Sequence, residues 1–184
     1  MAYNMKDVFY LDTHIDTTTS SGDGLATLDL SSYVDPIARG RSKGTGLAIY
    51  KVHFDISTVD GNAPVPAGST GTFRAALLSF SGFPATAVGS SISFADDQLS
   101  ATNDLTIAGV DYYAGGTAAG DPAPHVYVEP SKDVPYVVVR DQIILAIDVT
   151  TAMSTTSRGG VRLECAQVSL DQSTLNQLLR TQTV

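Results

Sequence analysis

Apolar and polar residues alternate with a period of two along much of this chain. From Val8 to Asp16, Phe9, Leu11, Thr13 and Ile15 fall on one side, and Tyr10, Asp12, His14 and Asp16 on the other. Between Thr45 and Ser57 the alternation sets Ala48, Tyr50, Val52, Phe54 and Ile56 against Ile49, Lys51, His53 and Asp55. Successive side chains of a strand point to opposite faces, so each pattern predicts a strand with one core face and one wet face, as in antiparallel sheets. Similar runs at Leu25–Leu30, Thr72–Phe80, Ser91–Phe94, Leu105–Tyr113, His125–Glu129, Val134–Val139, Ile143–Thr150 and Val161–Leu170 bring the total to about ten.

Turn formers separate them: Asp60-Gly61-Asn62, Pro64–Gly68, Ser81-Gly82, Gly115-Gly116, Gly120–Pro124 and Arg158-Gly159-Gly160. Arg140-Asp141 predicts a tight hairpin joining Val134–Val139 to Ile143–Thr150. Thr17–Gly24, Ser90–Thr106 and Asp111–Pro124 read as the long loops. Strands at this spacing, with no helical periods between them, predict an all-β sandwich or barrel rather than a doubly wound sheet.

One helical segment stands at the end of the chain. Asp171 or Ser173 could cap it, Thr174 with Gln177 matches a capping box, and Leu175, Leu178 and Leu179 form a short apolar stripe. About nine residues is marginal for an isolated helix, so the stripe needs a surface to pack on. Its own sandwich and a neighbouring subunit are both open as that surface. With neither repeats nor a break in composition, residues 1–184 read as one domain, with 171–184 as a C-terminal arm.

Composition sharpens this picture. Charged residues are only 16% of the 184, and 20 Thr, 18 Ser, 20 Ala and 16 Gly fill the gap. The charge is −8, from 17 Asp and 2 Glu against 4 Lys and 7 Arg. Scarce Glu and Lys fit an all-β chain with Asp in its turns, and they also fit adaptation to high salt. No run of 18 apolar residues suggests a membrane span, and MAYNMKDVFY does not read as a signal peptide. A single cysteine, Cys165, leaves no disulfide framework, and its apolar setting predicts a buried inert thiol.

Candidate chemistry is sparse. Asp12, His14 and Asp16 project from one face of a strand and could offer two carboxylates and an imidazole to a divalent metal. Lys51, His53 and Asp55 form a similar row. Both rows also suit the wet side of an amphipathic strand, and that solvated or intersubunit reading is preferred. There is no Gly-x-Ser-x-Gly, and Gly40–Gly46 lacks the spacing of a phosphate loop. Arg39, Arg41 and Lys43 form the densest basic cluster, too small for nucleic acid on so acidic a chain, and read instead as a contact with an acidic neighbour. No catalytic residue, cofactor or resident metal is expected.

Taken together, the chain resembles the smaller major capsid protein of tailless haloarchaeal icosahedral viruses with an internal membrane, the sphaerolipovirus group. The features that carry this are Met5–Asp16 as first strand, Gly44–Ser57 as long central strand, Val134–Thr150 as a hairpin, and Val161–Leu170 before a short tail. The resemblance implies a single vertical jelly roll in the virion shell. Copies would join a larger jelly-roll partner in pseudo-hexameric capsomers, alongside penton or membrane proteins, around a membrane that separates shell from genome. Leu175, Leu178, Leu179, Arg39, Arg41 and Lys43 are the candidate intersubunit contacts. The alternative is a carbohydrate- or receptor-binding β-sandwich, for which Tyr112-Tyr113 is the available aromatic pair; a cupin-like metal enzyme would need more histidines than the three present.

Overall fold

The computed structural model describes residues 7–16, 22–35, 43–59, 71–79, 99–114, 123–151 and 156–182. Nine strands and one helix are built from them: β1 (Phe9–Asp16), β2 (Gly22–Asp29), β3 (Lys43–Thr58), β4 (Gly71–Leu78), β5 (Thr106–Ala114), β6 (Ala123–Val128), β7 (Tyr136–Val138), β8 (Gln142–Thr151), β9 (Ser157–Asp171) and α1 (Gln172–Thr181). The expected strand at Ser91–Phe94 lies outside the described residues.

The strands form two antiparallel sheets, ordered β1-β9-β3-β7 and β2-β8-β4-β5-β6. With β6 set aside as an addition at one edge, the remaining strands interleave as first, last, third, sixth and second, seventh, fourth, fifth. That is the double Greek key of a jelly roll. The all-β sandwich expected from the alternation, and the jelly roll that the resemblance implies, are the fold observed.

Aliphatic side chains from both sheets fill the space between them. Leu47, Ile49, Val52, Val161, Leu163 and Cys165 meet Ala75, Leu77, Ile107, Val110, Ile143, Leu145 and Ile147. Cys165 is the expected buried thiol: its Sγ lies 3.5 Å from the Phe9 carbonyl oxygen, and burial pushes its pKa up to about 12.

Four sequence expectations are corrected. Val134–Val139 and Ile143–Thr150 do not form a hairpin: β7 pairs with β3, whereas β8 lies in the other sheet between β2 and β4. The chain at Arg140-Asp141 crosses between sheets, because both long edges of β8 are already occupied. The alternation of β3 also does not run through: the register against β9 shifts between Ile49 and Lys51, so Tyr50 is an extra residue. Before this bulge Ala48 and Tyr50 pack on the outer face; after it Val52, Phe54 and Ile56 face the inter-sheet core. Arg158-Gly159-Gly160 is not a turn but the opening of β9. Gly22, Asp23 and Gly24, assigned to a loop, open β2.

The C-terminal helix lies on the outer face of the first sheet. Asp171 is its N-cap, accepting from the Thr174 amide at 2.7 Å. Leu175, fully buried, packs with Ala48, Tyr50, Val139, Ala166, Val168 and Leu170, flanked by half-buried Leu178 and Leu179. Gly44 of β3 makes this approach possible, since a Cβ there would meet a Leu175 methyl at 2.7 Å. Beyond the helix, buried Gln182 locks the end down. Its amide donates to the Val137 carbonyl at 2.7 Å, its Oε1 accepts from the Val139 amide at 3.2 Å and the Ser79 hydroxyl at 3.3 Å, and Arg140 donates to its backbone carbonyl.

Candidate functional site

The helix covers only one end of the outer face of the first sheet. At the other end, β1, β9 and β3 present polar side chains, and antiparallel registry sorts them into rows. Tyr10, Glu164 and Lys51 make one row; Asp12, Arg162 and His53 the next; His14, Gly160 and Asp55 the third; and Asp16, Arg158 and Ser57 the last. The two polar rows singled out in the sequence thus share one surface, with β9 between them. Most of these residues line a shallow groove of about 670 Å³ that also includes Thr13, Phe54 and Val161. Gly160 is its floor: a Cβ there would stand 3.7 Å from that of His14 and 3.8 Å from that of Asp55.

Opposite charges pair across the strands. Arg158 holds Asp16 in a two-pronged contact at 2.7 and 3.1 Å, which keeps the Asp16 carboxyl below its ordinary range. His53 Nε2 lies 2.9 Å from Glu164 Oε1, and that bond, followed by the nearby Lys51 and Lys132 charges, lowers the Glu164 pKa. Arg162 stands over the Tyr10 ring, 5.9 Å from its centroid, and Tyr10 is 60% exposed. Solvent screens these surface pairs, so they contribute little to stability.

Chemically this surface is a mixed lattice of donors and acceptors. Asp12, His14 and Asp16 do stand on one exposed face of β1, but Asp16 is committed to Arg158. Among the described residues no three His, Cys, Asp or Glu side chains converge as a metal site would require. Such a surface suits recognition by complementary charge and hydrogen bonding.

The other candidates fall elsewhere. Arg39 and Arg41 lie outside the described residues. Lys43 opens β3, exposed and in register with Asp171, and its charge helps hold the Asp171 carboxyl low after the dominant bonds from Thr174. Leu175 is spent on its own sheet and has no surface to offer a neighbour; Leu178 and Leu179 keep partial exposure at the rim of the helix. Tyr112 is no surface platform: it sits in β5, 6% exposed, against the inter-sheet core. Arg158, Gly160, Arg162 and Glu164 were missed. The extension of the alternation of β9 back through Gly159 and Ser157, both buried, was the available signal.

A second polar constellation occupies the outer face of the five-stranded sheet. Arg74 bonds Asp111 at 2.6 and 3.2 Å and stands 5.5 Å from the Tyr127 ring centroid. Tyr127 lies across Gly109, and its hydroxyl donates to the Leu99 carbonyl at 2.8 Å; burial raises its pKa to about 12.

No protein-family model matches the chain. No curated protein matches it in sequence either. Among solved structures, it overlaps the VP1 of Merkel cell polyomavirus in complex with disialyllactose at 7% identity and a TM-score of 0.49, covering 90% of this chain and 96% of that one. VP1 of trichodysplasia spinulosa-associated polyomavirus in complex with GM1 oligosaccharide gives 8% identity, a TM-score of 0.47, and coverage of 90% and 95%. VP1 of human polyomavirus 12 in complex with 3'-sialyllactosamine gives 8%, 0.46, and coverage of 89% and 99%. Overlaps this loose carry no argument about what the chain does. The jelly roll rests on its own strand order.

Proposed function

We propose that this chain is a structural viral capsid protein, a jelly-roll subunit that acts through its flanks, edges and ends. The observation that carries this reading is the jelly-roll strand order around an interior filled by aliphatic side chains of both sheets. A sandwich filled in this way leaves recognition to its outer surfaces. One of those surfaces carries the mixed-charge groove of β1, β9 and β3.

In its full form the proposal follows the resemblance to the sphaerolipovirus group. Residues 1–184 make one jelly-roll domain with 171–184 as its arm. Copies join a larger single jelly-roll partner in pseudo-hexameric capsomers of an icosahedral shell, with penton and membrane proteins of the virion alongside. An internal membrane lies between shell and DNA, which agrees with a net charge of −8 and the absence of a dense basic cluster in the sequence. The Asp-rich, Lys-poor surface is the adaptation of a halophilic archaeal virus.

Density-gradient separation of lysate from the source cells tests this. The expected result is that an antibody to this chain follows a nuclease-resistant particle band together with a larger capsid protein and lipid. Recovery only at the top of the gradient, free of particles, would overturn it.

A further inference from the structure

Among the described residues, four strands edge the two sheets: β1 and β7 in one, β2 and β6 in the other. An open edge invites pairing with another chain, and proteins blunt it by charge or, in the backbone, by shortness, proline, glycine or bulges. Three of these edges are blunted. β7 is three residues long, β6 carries Pro124, and β2 begins Gly-Asp-Gly. β1 is different. Its eight residues, FYLDTHID, contain neither glycine nor proline, and they pair with β9 residue for residue without a bulge. Its outward side chains, Tyr10, Asp12, His14 and Asp16, are exposed.

We propose that the free edge of β1 pairs antiparallel with β1 of a second copy, about a two-fold axis at Thr13. The charge pattern selects both this occupant and this register. Centring on Thr13 sets Asp12 opposite His14 of the second copy twice over, Leu11 opposite Ile15, and Tyr10 opposite Asp16. A two-fold contact is self-complementary in this way. Slipping the axis to Asp12 places the two Asp12 carboxylates against each other, and slipping it to His14 places Asp12 against Asp16 on both sides. Odd slips put core-facing residues opposite wet ones. Centring on Ile15 also sets His14 opposite Asp16, but it overlaps only His14–Asp16 of each strand. Among registers that overlap most of β1, the Thr13 one alone meets each Asp12 carboxylate with a hydrogen-bonding His14 imidazole of the second copy.

The pairing goes beyond the shell reading and needs no other virion component, so it is tested on the purified chain alone. Sedimentation velocity over a concentration series, at the lowest salt that preserves the β-sheet spectrum, reads the dimer. The wild type is expected to dimerise. His14→Asp, which sets carboxylate against carboxylate at two symmetric places, is expected to weaken the dimer about tenfold. His14→Lys is expected to tighten it, and Thr102→Asp, an exposed loop change of equal charge, to leave it unchanged. Melting curves check that each variant keeps the fold. A wild type that stays monomeric throughout would overturn the pairing, and so would His14→Asp and Thr102→Asp shifting the dimer equally.

Discussion

Asp16 and Arg158 stand 142 positions apart in the chain, yet make a two-pronged contact on the polar face of the first sheet. Folding lowers the Asp16 pKa, so its stabilising effect is present above the unfolded value near 3.9 and is lost as pH falls through the lower folded value. Asp16→Asn is therefore expected to cost no more than about 1 kcal/mol at neutral pH. In acid-unfolding curves followed by circular dichroism, the difference from wild type should shrink as pH falls below the ordinary carboxylate range. Gly109 is the more demanding position, because the Tyr127 ring occupies the space its Cβ would need. Gly109→Ala is expected to destabilise by about 1–3 kcal/mol in urea unfolding, through displacement of Tyr127 from the Leu99 carbonyl. The exposed row of Asp12, His14 and Asp16 was legible from alternation alone. The alternation of β9 could have placed Arg158 and Arg162 on one face, but not beside β1, because strand pairing over such separations leaves no local trace.

At the scale of elements, period two located every described strand to within a few residues, since one buried face imposes it directly. Its failures mark places where another interaction decides. The bulge at Tyr50 reverses the faces of β3 so that Ala48 and Tyr50 can pack beneath the helix while Val52 and Phe54 stay in the core. Two adjacent apolar runs joined by Arg140-Asp141 look like a hairpin locally, but sheet order is set by which edges remain free. The helix was legible from its cap and leucine stripe; the latch that holds it was not, because Gln182 carries no pattern. Leu175→Ala is expected to cost about 2–5 kcal/mol by opening a cavity above Gly44. Gln182→Ala is expected to cost about 2–4 kcal/mol, since it strips partners from the Val139 amide and the Val137 carbonyl. Chemical denaturation measures both, and Gln182→Ala should also speed amide exchange within α1 before the sheets open.

The whole molecule is an acidic sandwich whose solid interior leaves function to its outside. With a net charge of −8, self-repulsion opposes folding in dilute buffer. The melting temperature is expected to climb as potassium chloride rises towards molar concentrations, where screening shortens to about 3 Å. A melting temperature indifferent to salt would remove the halophilic part of the account while leaving the jelly roll intact. The central claim, that the chain is a building block of a virion wall, is tested most directly by cryo-electron microscopy of particles purified from the source culture. The account expects an icosahedral reconstruction in which the nine-strand sandwich fits repeated density outside a lipid bilayer. A wall built wholly of other proteins, with this chain absent from every repeated position, would contradict it.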